Sequence, residues 1–116
     1  MKMLFLDDDP NRRKKAIMYY SLRYEIYAVE TAEEAIQVLD AIFPFDVVSL
    51  DHDLGGQVYC PSDDNSGYAV AKHIATMSED KRPKIVIVHS FNPVGADNML
   101  AVLDGKVVTR RKPFHL

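Results

Sequence analysis

Acidic residues follow two separate apolar runs of the sequence. Asp7 and Asp8 come directly after the first run, and Asp51 and Asp53 follow a later one. Carboxylates held close together repel one another and shift toward the protonated form. A bound Mg²⁺ removes that penalty, because it prefers hard oxygen ligands and keeps several of its waters. The two groups therefore predict a site for Mg²⁺ or Mn²⁺, with Asp7, Asp8, Asp51 and Asp53 as candidate ligands.

The same acids also have simpler interpretations. Asp9 precedes Pro10, a pair that is typical of a helix cap followed by proline at the first helical position. Asp7 could be a solvated turn residue, as could Asp8, and Asp53 could begin a turn. The recurrence of acids after two separate runs favours the metal site for the first two, while Asp53 stays open between the two roles.

Two histidines accompany these acids. His52 is adjacent to Asp51, and His89 with Ser90 follows another apolar run. Histidine titrates near neutral pH, so His89 or His52 could act as a general acid or base, and a structural role for His89 is an equal alternative. The catalytic candidates are Asp51, His89, His52 and Lys112.

Cationic and amide side chains supply candidates for binding phosphate. The basic run 12–15 falls on the first turns of a predicted helix, where each cation opposes the helix dipole by roughly 0.3–1 kcal/mol. A solvated run that offsets the acids is the simpler interpretation, but a phosphate ligand would make the placement useful. The predicted helix N-termini at 66–67 and 92–93 also favour anions. The phosphate-binding candidates are Arg12, Ser90, Asn92 and Lys112.

Alternating elements must position these residues. Short apolar, β-branched runs alternate with segments of helical period, which predicts a parallel sheet covered by helices. The predicted strands are 2–6, 25–29, 45–50, 84–88 and 106–110. The predicted helices begin near residues 10, 32, 66 and 93, and no helix is predicted after the fifth strand. Ligands of such sheets bind outside the carboxyl ends of the strands, where the candidates fall.

Composition limits the alternatives. The 116 residues fit one domain, 1–116, and the net charge of −3 with 14 basic residues gives no polycation for nucleic acid. The N-terminal apolar run is too short for a signal peptide or a membrane span, so we expect a cytoplasmic protein without membrane contact. Cys60 is the lone cysteine and is interpreted as incidental.

The order of these motifs resembles the receiver domain of two-component response regulators. Such domains carry an acidic pair after strand one (Asp7 and Asp8), a phosphoacceptor aspartate ending strand three (Asp51), a hydroxyl residue after strand four (Ser90) and a lysine in a Lys-Pro-Phe ending (Lys112). The resemblance implies a flavodoxin-like three-layer α/β sandwich with a five-stranded parallel sheet of order 2-1-3-4-5. It also implies Mg²⁺ on Asp8 and Asp51, and a cis bond between Lys112 and Pro113.

Departures from the ordinary receiver point to a subgroup. The connection 54–65 is long for this position, and His52, Asp53 and His89 are additional acid/base residues. These features are similar to cyclic-phosphate-processing receiver domains, in which the fold is thought to act on phosphoesters. The resemblance implies a metal-dependent phosphoesterase for a cyclic phosphate end, on a small phosphate-bearing molecule or RNA.

A signalling function is the principal alternative. In that case a sensor kinase phosphorylates Asp51, and the histidines take no part in the chemistry. A binding module without chemistry is less favoured, because every charged member of the group is present. Since no fifth helix is predicted, the apolar sheet face around Val107 and Phe114 should be covered by a partner, most simply a second copy in a homodimer.

Overall fold

A computed structural model describes residues 1–55, residue 63 and residues 65–116. Its five strands form one parallel sheet of order β2-β1-β3-β4-β5, which confirms the predicted flavodoxin-like fold. The strands are β1 Lys2–Leu6, β2 Glu25–Val29, β3 Val47–Leu50, β4 Ile85–Val88 and β5 Val108–Arg111.

Four α-helices connect the strands, and no helix follows β5 within the described residues. They are α1 Pro10–Tyr20, α2 Ala32–Ala41, α3 Gly67–Thr76 and α4 Pro93–Leu103, with a 3₁₀ turn at Glu79–Lys81. The predicted cap at Asp9 is confirmed, and the Asp9, Thr31 and Asn92 side chains each accept a backbone N–H bond in the first turn of their helix. None of the helices in the described ranges is long and apolar enough to cross a membrane.

The two faces of the sheet are covered unequally. Helices α2, α3 and α4 enclose the larger apolar core, which contains Leu4, Leu50 and Val86. On the opposite face α1 covers a smaller cluster of Met3, Phe5, Ala16 and Val47. Phe114, which follows β5, packs against that smaller cluster. In an ordinary receiver a fifth helix would cover this face, and none was predicted for this chain.

Several local expectations need correction. Helix α1 ends at Tyr20, and Ile17 on it is 43% exposed. Strand β5 begins at Val108, and Val107 packs into the larger core instead of the face that Phe114 contacts.

The cis Lys112–Pro113 bond implied by the resemblance is not found. The cis peptide bond of the described chain is Phe43–Pro44. Cys60 and most of the long connection after β3 lie outside the described residues.

Candidate functional site

The carboxyl ends of β1, β3 and β4 bring three of the candidates together. Asp7, Asp51 and His89 each place one ligand-type atom within 4.8 Å of the others, and all three residues are buried. Parallel pairing explains the convergence: Leu6 is in register with Leu50, and Leu50 with Val88, so the residue after each strand reaches the same edge. The prediction that these residues share one site rests on this strand order.

Asp7 is fully buried, and hydrogen bonds occupy both of its carboxylate oxygens. Oδ1 accepts from the Asp9 N–H at 2.9 Å and from Arg12 Nη2 at 2.9 Å. Oδ2 accepts from Arg12 Nε at 2.8 Å and faces His89 Nε2 at 3.1 Å. Burial alone would raise the pKa of Asp7, but the hydrogen bonds from His89 and Arg12 outweigh it and hold that pKa below its ordinary value.

The guanidinium of Arg12 lies at the centre of the acidic group. Besides its two bonds to Asp7, it lies 3.8 Å from Asp8 Oδ1, 3.6 Å from Asp9 Oδ2 and 3.7 Å from Asp51 Oδ2. The Arg12 side chain remains 29% exposed. Its hydrogen bonds to Asp7 raise the pKa of Arg12 further. This arginine is therefore a fixed cation with one side open to a ligand.

Asp51 has the most perturbed acid chemistry in the site. The residue is 6% exposed, and burial, followed by repulsion from Asp7, raises the pKa of Asp51 to about 8. Arg12 opposes that rise, while Asp8 and Asp53 add to it. A carboxyl group of this kind still carries its proton at neutral pH, so it is suited to donating a proton.

His89 is held on three sides. Its ring stacks on Phe5 with centroids 4.8 Å apart, Nε2 faces Asp7 Oδ2, and Nδ1 lies 2.7 Å from the Ser49 hydroxyl. Burial lowers the pKa of His89, which favours the neutral ring. Because a carboxylate can only accept, Nε2 carries the proton and Ser49 donates to Nδ1. His89 is thus placed to orient Asp7.

His52 and Asp53 form a separate group beneath α4. His52 is fully buried, and its Nδ1 lies 2.9 Å from Asp53 Oδ1. Asn92 caps α4 through a bond from the Gly95 N–H and donates from Nδ2 to the same Asp53 oxygen at 3.0 Å. The structure does not bring His52 into the group formed by Asp7, Asp51 and His89.

The remaining phosphate-binding candidates are Ser90, which follows β4, and Lys112, which follows β5. Ser90 is buried after β4, and its hydroxyl accepts the Asn92 N–H at 3.0 Å. The Lys112 side chain is exposed, and among the described residues it makes no ion pair with the acids. Lys112 instead lines a small cavity of about 40 Å³ with Phe114 and Ser49. Arg12 therefore occupies the place next to the acids that the resemblance gave to Lys112.

Sequence reasoning missed some functional neighbours. Ser49 is predicted only as part of a buried strand. Because successive side chains point to opposite faces of a strand, Ser49 lies on the other face from Val48 and Leu50, and its hydroxyl is on the face that contains Phe5. Arg12 was expected to bind phosphate, not to join Asp7. Its position five residues after Asp7, across a capped first turn, is the signal that could have indicated the pair.

The carboxylates at the strand ends are the type of donor that a divalent cation prefers. The oxygens of one of them, Asp7, are already occupied by hydrogen bonds. Asp8 and Asp51 offer the hard carboxylate oxygens that Mg²⁺ prefers. The four hydrogen-bonded contacts of Asp7 leave its oxygens committed to protein groups. Asp8 and Asp51 therefore match Mg²⁺ in donor type, and Arg12 lies within 4 Å of an oxygen of each, where it already supplies countercharge.

Solved receiver structures have the same fold as this chain. A signal receiver domain from Vibrio parahaemolyticus is 23% identical, with a TM-score of 0.67 over 98% of this chain and 79% of that one. A CheY-like response regulator receiver domain from Methylobacillus flagellatus is 18% identical, with a TM-score of 0.66 over 99% and 88%. Chemotaxis protein CheY4 from Vibrio cholerae is 21% identical, with a TM-score of 0.67 over 98% and 88%. These likenesses show that the chain has the receiver fold.

The family is shown by sequence. A family model described as the cyclic-phosphate processing receiver domain matches residues 2–105, which is most of the chain. The chain belongs to this family. A comparison with curated proteins gives no match.

Proposed function

We propose that this receiver domain is a phosphoesterase that opens cyclic phosphate ends of nucleotides or RNA. The observation that carries the proposal is the distance of 3.7 Å between the Arg12 guanidinium and the buried Asp51 carboxyl. One group can bind a phosphoryl oxygen, and the other can transfer a proton to an ester oxygen beside it. The pairing supplies both requirements of phosphoester hydrolysis at one edge of the sheet.

The reaction assigns a role to each group. A water oxygen bonds to phosphorus while the bond from phosphorus to the ribose 2′ or 3′ oxygen breaks. Asp51 donates its proton to the departing oxygen, and the attacking water releases a proton to solvent. Arg12 stabilises the charge on the phosphoryl oxygens, and His89 acts through Asp7 to hold Arg12 in place.

A divalent ion fits this proposal as a further source of positive charge. Receiver domains typically bind Mg²⁺ at an acidic pocket. In this chain Asp8 and the ionised form of Asp51 would hold Mg²⁺ or Mn²⁺, which would polarise a phosphoryl oxygen in place of the proton that Asp51 donates when no metal is bound. Asp53 lies close enough to Asp51 to raise the pKa of Asp51.

Phosphorelay is the second candidate function, and the position of Asp51 favours it. Asp51 directly follows β3 in the fold that response regulator receiver domains share. A sensor kinase would then phosphorylate Asp51, with Arg12 next to the phosphoryl group. Both functions require Asp51, so loss of this residue cannot distinguish them. They differ in the product, which is an opened ring in one case and an aspartyl phosphate in the other.

The deciding experiment offers two substrates to the same proteins. A 2′,3′-cyclic nucleotide and, separately, acetyl phosphate with Mg²⁺ are incubated with the native chain, Asp51→Asn and His89→Ala. Ring opening is followed by chromatography, and phosphorylation of Asp51 by protein mass. We expect ring opening by the native chain, a roughly 10²–10⁴-fold loss in Asp51→Asn, which is the usual contribution of a positioned acid, and a smaller loss in His89→Ala, because His89 acts only through Asp7.

A matched histidine variant controls for nonspecific effects. His73 pairs with Asp40 on α2 and α3, away from the strand ends, so His73→Ala should keep the native rate. Stable phosphorylation of Asp51 without ring opening by any of the proteins would replace the phosphoesterase with the relay. The proposal also implies action in the cytoplasm, where receiver domains usually occur.

A further inference from the structure

The guanidinium of Arg12 lies within 4 Å of two carboxyl groups that are candidate metal donors of the site. Its Nη2 is 3.8 Å from Asp8 Oδ1 and 3.7 Å from Asp51 Oδ2. We infer that Arg12 is an internal counter-ion, and that a divalent cation and this guanidinium are alternative occupants of the gap between Asp8 and Asp51.

The two cations would share the same carboxyl oxygens. Mg²⁺ binds oxygen at about 2.0–2.1 Å, and Arg12 Nη2 already lies 3.8 Å from Asp8 Oδ1 and 3.7 Å from Asp51 Oδ2. Two positive charges this close to the same oxygens would repel strongly in a site that is largely closed to water. Metal binding should therefore displace Nη2 from these oxygens.

The attachment of Arg12 to Asp7 makes that displacement costly. Both Nε and Nη2 donate to the buried Asp7 carboxylate, in the bidentate geometry that is strongest for this pair. His89 fixes the carboxylate from its other side. Displacing Nη2 breaks one of the two bonds, so the resting arrangement should weaken metal binding. A displaced guanidinium would remain hinged on Asp7 and could approach a phosphoryl ligand.

The test measures metal affinity and does not depend on any reaction. Mg²⁺ alone is titrated calorimetrically into the native chain, Arg12→Ala and Lys14→Ala. Lys14 is exposed on the same helix, so its loss removes the same charge without touching the acids. We expect Arg12→Ala to bind Mg²⁺ about tenfold more tightly than the native chain, since one charge-assisted bond no longer competes. Lys14→Ala should stay within about twofold of the native chain.

A measurement on the native chain covers the case in which Arg12→Ala fails to fold. The Nε–H resonance of Arg12 is followed by NMR during the Mg²⁺ titration, with Arg111, which pairs with Asp97 on α4, as the internal reference. We expect a saturable shift for Arg12 and none for Arg111. Equal or weaker Mg²⁺ binding by Arg12→Ala, an equal gain in Lys14→Ala, or an unmoved Arg12 resonance at saturating Mg²⁺ would overturn the inference. Failure of ring opening would leave these outcomes unaffected.

Discussion

Two buried carboxyl groups at the strand ends have pKa values that are shifted in opposite directions. Asp7 is buried with hydrogen bonds from Arg12 and His89 and keeps its charge, whereas Asp51 is buried beside Asp7 with a 3.7 Å contact to Arg12. The pKa of Asp7 is therefore lowered and that of Asp51 is raised to about 8. At neutral pH, therefore, Asp7 is ionised and the neighbouring Asp51 is protonated. The first group can stabilise charge and the second can transfer a proton.

The raised pKa of Asp51 predicts a loss of stability as pH increases. The folded state holds a proton on Asp51 up to about pH 8, while the unfolded chain has released it above about pH 4. The stabilising contribution of the Asp51 proton is complete below the pKa of Asp51 in the unfolded chain. It is lost as pH rises through the pKa of Asp51 in the folded state, with a slope near 1.4 kcal/mol per pH unit for one proton. His89, with a lowered pKa, has the opposite slope below about pH 6.5.

Between about pH 6.5 and pH 8, therefore, the change of stability with pH reports mainly on Asp51. Urea denaturation in EDTA should show the native chain losing stability across this window, while Asp51→Asn should show a flatter profile and greater stability at pH 8. Parallel profiles for the two proteins would mean that Asp51 is already ionised in the folded state.

Among the elements, two helices approach the strand ends closely because each has a glycine in its first turn. The backbone of Gly67 at the start of α3 lies against the Asp51 carbonyl, and its N–H donates to His52 O at 2.9 Å. Gly95 in the first turn of α4 lies on the His52 ring. The segment after β3 is therefore held between two helix N-termini, which fixes the direction of the Asp51 side chain.

Gly95→Ala should test this packing. A methyl group at Gly95 would lie 2.6 Å from Cδ2 of the fully buried His52 ring, so the ring or the helix must shift. We expect a loss of roughly 1–3 kcal/mol in the free energy of unfolding, the usual cost of overpacking. Chemical denaturation of the variant gives the value directly.

A second change makes the interpretation specific. In a His52→Ala background the added methyl has room, so Gly95→Ala should cost much less there, giving strong non-additivity between the two sites. Val94→Ala, at an exposed neighbouring position, should have an effect within about 0.5 kcal/mol. Additive effects of the two substitutions would contradict contact between Gly95 and His52.

For the whole molecule, the incomplete cover of one sheet face is the distinguishing feature. Three helices pack on one face, and α1 with Phe114 covers the other only in part. Val108 on the edge strand is 50% exposed, and Ile17 on α1 is 43% exposed. Apolar groups left open in this way favour association with a partner.

We therefore predict a homodimer formed through this face. Sedimentation equilibrium of the native chain at high micromolar concentration should give twice the monomer mass, and Val108→Lys should shift it toward monomer by placing a charge in the contact. Phe91→Lys changes an equally exposed apolar residue after β4 and should leave the mass unchanged. A monomeric native chain would show that α1 and the segment after β5 are sufficient cover.

Local patterns in the sequence determined most of the architecture. The bounds of β1 and β2 and the caps at Asp9 and Asn92 follow from apolar runs and cap residues, which act within a few positions of the chain, whereas the sheet order was implied by the resemblance to receiver domains. The aspartates directly after two strands likewise placed Asp7 and Asp51 at one edge, because parallel strands end together.

Only the tertiary structure decided which partner each of these groups has. His89 reaches Asp7 across 82 positions and Ser49 across 40, and no local pattern encodes such a pair. Arg12 lies beside the acids while Lys112 points to solvent, although either cation could have balanced them. The physical reason is that charge pairing depends on side-chain direction and burial, which are set only when helices pack on the sheet.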